Sequence, residues 1–325
     1  MEYGDADEHP AESPFERPSV PGEYRVAVPP IRPGIQSIFK YFLDGSRKTY
    51  RVADVIVGGR YLPLIAGQIG VAVVQRDHDK ISVYRDFCRL ENVLAFPRKL
   101  DDSDLQFLEG KIREHCGITF RVVPYTVKPD QDPVDLGTAR ILTQMHAMEV
   151  ETVLSMAARG ILANDRLLVV DGSLRFGQKI DPVQFRNVIG LSKTFRPSFK
   201  AGKTRTDVGS LASSLRFAER TSVFRFQGGN DNKIIGMWYL RMRRQSRDPL
   251  EGVVKVECYA VDAEDKENGL ESDRVNVISA HILRERNVTP YGKDPRWASH
   301  IYPIYMAETF LKASFMSDTR FSALF

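Results

Sequence analysis

Residues 38–57 read IFKYFLDGSRKTYRVADVIV, and residues 165–177 read DRLLVVDGSLRFG. Each stretch runs through aromatic and branched residues suited to a buried strand, Ile38 to Leu43 and Leu167 to Val170, and then reaches Asp-Gly-Ser. This predicts Asp44 and Asp171 at two strand ends, with turns beginning on Gly45–Ser46 and Gly172–Ser173. Asp-Gly is a common turn signal, because Gly tolerates positive φ and Asp bonds its own backbone. A plain turn therefore accounts for either copy alone. Two copies ask for more. Open α/β sheets keep their sites at strand ends. Carboxylates that meet there repel each other unless a cation joins them.

The rest of the chain sets bounds on that idea. Its 325 residues suffice for one large or two modest domains, and 42% are hydrophobic. No window approaches a membrane span. The opening MEYGDADEHPAESPFERP is acidic and Pro-rich, without the basic and apolar segments of a signal peptide. Residues 1–33 are expected to form a flexible or loosely docked tail, and 34–325 the folded domain. Cys88, Cys116 and Cys258 are far apart and form no zinc spacing, which suits a reducing, cytoplasmic location. Net charge is only +4, but residues 193–220, KTFRPSFKAGKTRTDVGSLASSLRFAER, are locally basic. Such a run is either solvated surface or a phosphate-binding face.

Strands are predicted at 35–43, 49–57 and 64–77, a meander that implies antiparallel pairing. DDSDLQFLEGKIREHCG (101–117) reads as a helix capped by its aspartates and stopped by Gly117. A longer helix over 134–158 leads into the strand ending at Asp171. NVIGLSKTF carries Lys193 near the end of a short strand, and GMWYLRMR and GVVKVECYAV alternate like a hairpin. EDKENGLESD reads as a charged loop, and RVNVISAHILRERN and IYPIYMAETFLKASF as closing helices. The fold class is α/β, a mixed sheet flanked by helices with further C-terminal helices.

Two aspartates hold a hard cation weakly; Mg²⁺ and Mn²⁺ take six oxygens, some from water and substrate. The long helix offers Glu149 and Glu151. Glu149 lies on the apolar stripe with Met145 and Met148, where a carboxylate is costly unless paired. Glu151 lies about 200° around the helix and is the solvated one by this geometry. Lys193 is either an ordinary strand terminus or a neutralising partner for a phosphate. His300 is either structural or a proton carrier or ligand. P-loop, Gly-x-Ser-x-Gly and His-Glu-x-x-His patterns are absent from the sequence.

FLDGS (42–46) followed by GQIGVAVV (67–74) resembles the opening of a ribonuclease H-like fold. LLVVDGSL (167–174) and VIGLSKTF (188–195), preceded by a helix glutamate and followed by WYLR (238–241) and YP (302–303), are similar to the NurA nucleases. The resemblance covers about residues 34–315. It implies a two-metal, Mn²⁺- or Mg²⁺-dependent deoxyribonuclease, a homodimer docked on a hexameric HerA-type ATPase translocase. Its setting would be DNA end processing or defence against foreign DNA. It assigns Asp44, Glu149 and Asp171 as metal ligands, with Glu151 reached by a short shift in alignment, and Lys193 beside the phosphate. The family pattern places a histidine in the helix after YP. Here Glu308 and Thr309 stand in that neighbourhood, and His300 precedes the tyrosine, so His300 or Glu308 is the fourth ligand. The basic segment, with Lys193, Arg196, Lys200, Lys203 and Arg205, is expected to line the DNA path. Phe195 and Phe199 would either stack on bases or pack in the core. The rival expectation is an inactive nucleic-acid-binding or scaffold subunit of an ATPase complex.

Overall fold

The computed structural model describes residues 14–18, 25–98, 101–176, 179–197, 199–202, 205–228, 233–244, 248–285 and 298–325. The principal strands are β1 (Phe39–Val57), β2 (Arg60–Asp77), β3 (Arg89–Phe96), β4 (Arg121–Pro124), β5 (Leu167–Asp171), β6 (Val188–Ser192), β7 (Lys233–Arg241) and β8 (Val253–Tyr259). The principal helices are α1 (Asp102–Cys116), α2 (Pro133–Ala158), α3 (Ser272–Arg284) and α4 (Tyr302–Ser314). Among the described residues, one large mixed sheet runs in the order β7-β8-β6-β5-β1-β2-β3-β4. Beyond β7 it is extended by Glu219–Thr221 and then Arg25–Ala27. β1 pairs antiparallel with β2 and β2 with β3, whereas β5 runs parallel to β1, and β6 to β5.

The hairpin of β1 and β2 departs from the sequence expectation. Residues 44–46 form no turn: Asp44, Gly45 and Ser46 stand opposite Ala72, Val71 and Gly70 inside one unbroken 19-residue strand. The chain reverses instead at Gly58 and Gly59, with φ of +57° and +76°. A glycine in a strand signals either a turn or a close approach, and at residue 45 it is the second. EDKENGLESD is likewise more than a loop, holding a helix at Ala263–Asn268 and a short strand at Leu270–Glu271.

Alternation along the strands builds two cores. Phe42, Ala72, Val169, Leu191, Trp238 and Val256 face α3 and α4. Leu43, Val71, Val170, Val188 and Tyr259 face α2, with Ile141, Met145 and Met148. α2 begins on Asp132, whose side chain accepts from Val134 N, with Pro133 at the first helical position.

The described parts of residues 1–33 are docked rather than loose. Phe15 and Glu16 are buried, and Glu16–Arg17 pairs with Leu270–Glu271. Glu16 meets Arg220 at 2.8 Å with both side chains fully enclosed. A buried carboxylate needs such a partner, and that partner lies about two hundred residues along the chain. No helix among the described residues is long and apolar enough to cross a membrane.

Candidate functional site

The site forms where β5 and β6 end beside the middle of β1. Leu43 stands beside Val170 in the parallel pairing, so the next step sets Asp44 beside Asp171, the last residue of β5. Neighbouring strands lie about 4.8 Å apart. Asp44 shares the face of Phe42 and Asp171 that of Val169, so both point towards α3 and α4. Asp44 is 6% exposed.

Glu149 approaches from the other face. It is buried on α2, and its carboxylate covers Gly45. A Cβ built at residue 45 would fall 2.1 Å from Glu149 Oε1. His146, one helical turn earlier, places Nδ1 2.7 Å from Glu149 Oε2. Glu151 is exposed and paired with Arg89 at 2.7 Å, away from this cluster. Between the two helix glutamates, Glu149 is the one at the site.

A polar chain closes the α4 side. Lys193, just beyond β6, donates from Nζ to Asp171 Oδ2 at 2.8 Å and lies 3.2 Å from His300 Nδ1. His300 Nε2 is 3.0 Å from Glu308 Oε2, and Lys312 donates to Glu308 Oε1 at 2.6 Å. An ammonium only donates, so His300 accepts at Nδ1 and carries its proton on Nε2, facing Glu308. Both ring nitrogens are thus engaged by protein. Of the two candidates for the fourth ligand, His300 has both ring nitrogens engaged and Glu308 has one oxygen toward His300 and the other toward Lys312. The His300 bond, followed by Lys312, holds Glu308 well below the ordinary carboxylate range, at about 2.

Asp44 shows the opposite effect. Burial first, then the negative charges of Asp171, Glu308 and Glu149, raise its carboxyl well above the usual range; Lys193 pulls the other way. Four carboxylates from β1, α2, β5 and α4 therefore act on one buried point. Their hard oxygens are the donors that Mg²⁺ and Mn²⁺ take, and a cation would relieve the repulsion on Asp44. The donor chemistry fits. Even so, among the described residues no three His, Cys, Asp or Glu side chains are grouped closely enough to hold a metal ion as they stand. At Asp171 the Lys193 ammonium already occupies Oδ2, so a cation there would compete with it for that oxygen.

The basic segment is divided. Arg196, Lys200 and Arg205 are exposed on the stretch that leaves Lys193. Lys203 lies outside the described residues. Arg220 is fully buried against Glu16, off the exposed surface of the segment. Phe199 is core, 5.5 Å from Phe224, and Phe195 packs on Tyr239 at 5.0 Å, so both rings take the packing role.

Sequence reasoning passed over His146, Lys312 and Glu257. The i, i+3 spacing of His146 to Glu149 and the i, i+4 spacing of Glu308 to Lys312 were available signals. Glu257 pairs with Lys255 two residues earlier on its strand, but its partners Ser173, Leu174 and Arg175 follow Asp171 in another part of the chain. A scan of the sequence against protein-family models gives no match, and comparison with curated proteins gives none.

Proposed function

We propose that the chain is a metal-dependent DNA nuclease of the NurA type, with a ribonuclease H-like sheet. The observation that carries this is Asp44 set beside Asp171 at the end of β5, with Lys193 bonded to Asp171 and with Glu149 and Glu308 near enough to raise the Asp44 carboxyl. The strand order supports it: an antiparallel β1-β2-β3 meander with β5 and β6 added in parallel beside β1.

Bound Mn²⁺ or Mg²⁺ would supply activation of the attacking water and stabilisation of the leaving oxygen. The carboxylates of Asp44, Glu149, Asp171 and Glu308 would hold it. Lys193 would place positive charge where a phosphate gathers negative charge. His300 steadies that lysine, with Glu308 fixing its tautomer. Exposed Arg196, Lys200 and Arg205 would carry the DNA backbone, with Lys203 in the same run. In this reading a homodimer works with a HerA-type ATPase in the cytoplasm, in DNA end processing or defence.

The test is digestion of linear DNA with Mn²⁺, with and without the ATPase, by wild type and Asp171→Ala. Cleavage by wild type that is lost in a folded Asp171→Ala protein upholds the assignment. Cleavage retained in the variant removes it. The Lys193–Asp171 ion pair favours a second reading, an inactive nucleic-acid-binding or scaffold subunit. That reading expects neither Mn²⁺ uptake by calorimetry nor cleavage under any of these conditions.

A further inference from the structure

Asp171 ends β5, and the three residues after it are held by a device on β8. Ser173 donates its hydroxyl, and Leu174 its backbone N–H, to Glu257 Oε2, each at 2.7 Å. Tyr259, two residues along the same face of β8, donates its hydroxyl to the Leu174 carbonyl at 2.5 Å. Residue 174 is therefore gripped at both its N–H and its C=O by one strand.

The surroundings fit that role. Glu257 and Tyr259 are each 1% exposed. Lys255 lies 3.1 Å from Glu257 Oε1, and Arg175 Nε lies 3.7 Å from the same oxygen. Burial alone would raise the Glu257 carboxyl; Lys255, Arg175, Ser173 and Leu174 together bring it below its usual range, so the grip is ionic. The turn also lies flat on β6. Gly172 takes φ of +123° and donates to the Leu191 carbonyl at 3.0 Å. A Cβ at Gly190 would fall 2.9 Å from the Gly172 oxygen and 2.9 Å from Leu174 Cγ. Gly190 stands opposite Glu257 in the β6–β8 pairing, so glycine, glutamate and turn form one contact.

We propose that Glu257 and Tyr259 are positioning residues that aim the Asp171 carboxylate at Lys193 and the acidic cluster by clamping the Ser173–Leu174 peptide. The consequence for cation binding rests on the nuclease reading; the aiming of Asp171 does not. Ser173 and Tyr259 are the levers, because Glu257 itself neutralises buried Lys255. Tyr259→Phe keeps the ring, which packs edge-on against Phe185 at 5.9 Å, and removes only the hydroxyl. Ser173→Ala removes the other donor, and Ser173→Thr restores it.

The deciding measurement needs no metal. Lys193 is shielded by its bond to Asp171, so its rate of acetylation by a water-soluble acylating reagent, read by mass spectrometry, reports the aim of that carboxylate. The rate should rise about fivefold in Tyr259→Phe and in Ser173→Ala, the factor that one net hydrogen bond is worth. It should return in Ser173→Thr. Unchanged labelling overturns the proposal, whatever happens to the melting temperature. With Mn²⁺, calorimetric affinity should weaken about 10- to 100-fold in both variants, and kcat should fall while KM for DNA stays. A wild type that takes up no Mn²⁺ sinks the nuclease reading and leaves Lys193 labelling to judge the clamp.

Discussion

Lys193 Nζ lies 2.8 Å from Asp171 Oδ2, so the end of β6 neutralises the end of β5. In Lys193→Gln this counter-charge is gone and the acidic cluster keeps its carboxylates. Mn²⁺ affinity by calorimetry should hold or tighten, while single-turnover cleavage falls about 10²- to 10³-fold, the range for loss of one preorganised donor. Equal loss of cation affinity and cleavage would place Lys193 in holding the fold of the site instead.

Gly45→Ala should mimic loss of Glu149. The new methyl would fall 2.1 Å from Glu149 Oε1, and Met145 Cε stands 3.2 Å away, so the carboxylate has to leave. Overpacking of this kind destabilises by about 1–3 kcal/mol. Thermal unfolding should show that loss, and Mn²⁺ titration should match Glu149→Ala. Full cation affinity in Gly45→Ala would separate Glu149 from the site.

Glu16→Ala should destabilise the fold by about 3–5 kcal/mol, because it strands the fully buried Arg220. The loss should appear in urea unfolding. Replacing both partners by methionine should recover most of it, since the desolvation of both charges disappears together.

His281 predicts a fold that loses stability in acid. It is buried on α3 with Nδ1 unpartnered, and burial, then Arg284 and Arg76, lower its pKa from 6.5 to about 4. The unfolded chain therefore binds the proton more readily. Stability from this group is complete above pH 6.5 and is lost as pH falls towards 4, by about 3 kcal/mol at most. His281→Phe should flatten that part of the profile in chemical denaturation followed from pH 7 to 4. An unchanged profile would assign the acid loss to other groups.

The exposed basic residues predict a salt effect. Neutralising Lys200 and Arg205 should weaken DNA binding at every sequence. It should also reduce the slope of log affinity against log salt by about 0.9 or less per lost phosphate contact. Titrations at several salt concentrations measure it; an unchanged slope would make these charges plain solvated surface.

Much of this architecture was legible. LLVVD and VIGLS are short apolar runs of strand length, and the long helical pattern over 134–158 is the helix Pro133–Ala158. What failed to show depended on partners distant in the chain. Gly45 reads as a turn until Glu149, 149 − 45 = 104 residues later, is laid over it. Phe15 and Glu16 read as tail because their cover comes from Arg220 and Leu270. In VVKVECY, Lys255 and Glu257 carry charge in an alternating strand, yet both are buried: they pair with each other, and the turn after Asp171 bonds Glu257. β3 was missed because RLEN opens it with charge.

The order of synthesis acquires meaning from Glu308. Asp44 and Glu308 act on each other across 308 − 44 = 264 residues. A nascent chain that has already emerged through β6 holds Asp44, Glu149, Asp171 and Lys193, but no α4. His300 and Glu308 are then still to be made, and Lys193 has no imidazole to lean on. A chain terminated before His300 would therefore carry Asp44, Glu149, Asp171 and Lys193 without the imidazole and carboxylate that close the α4 side of the cluster.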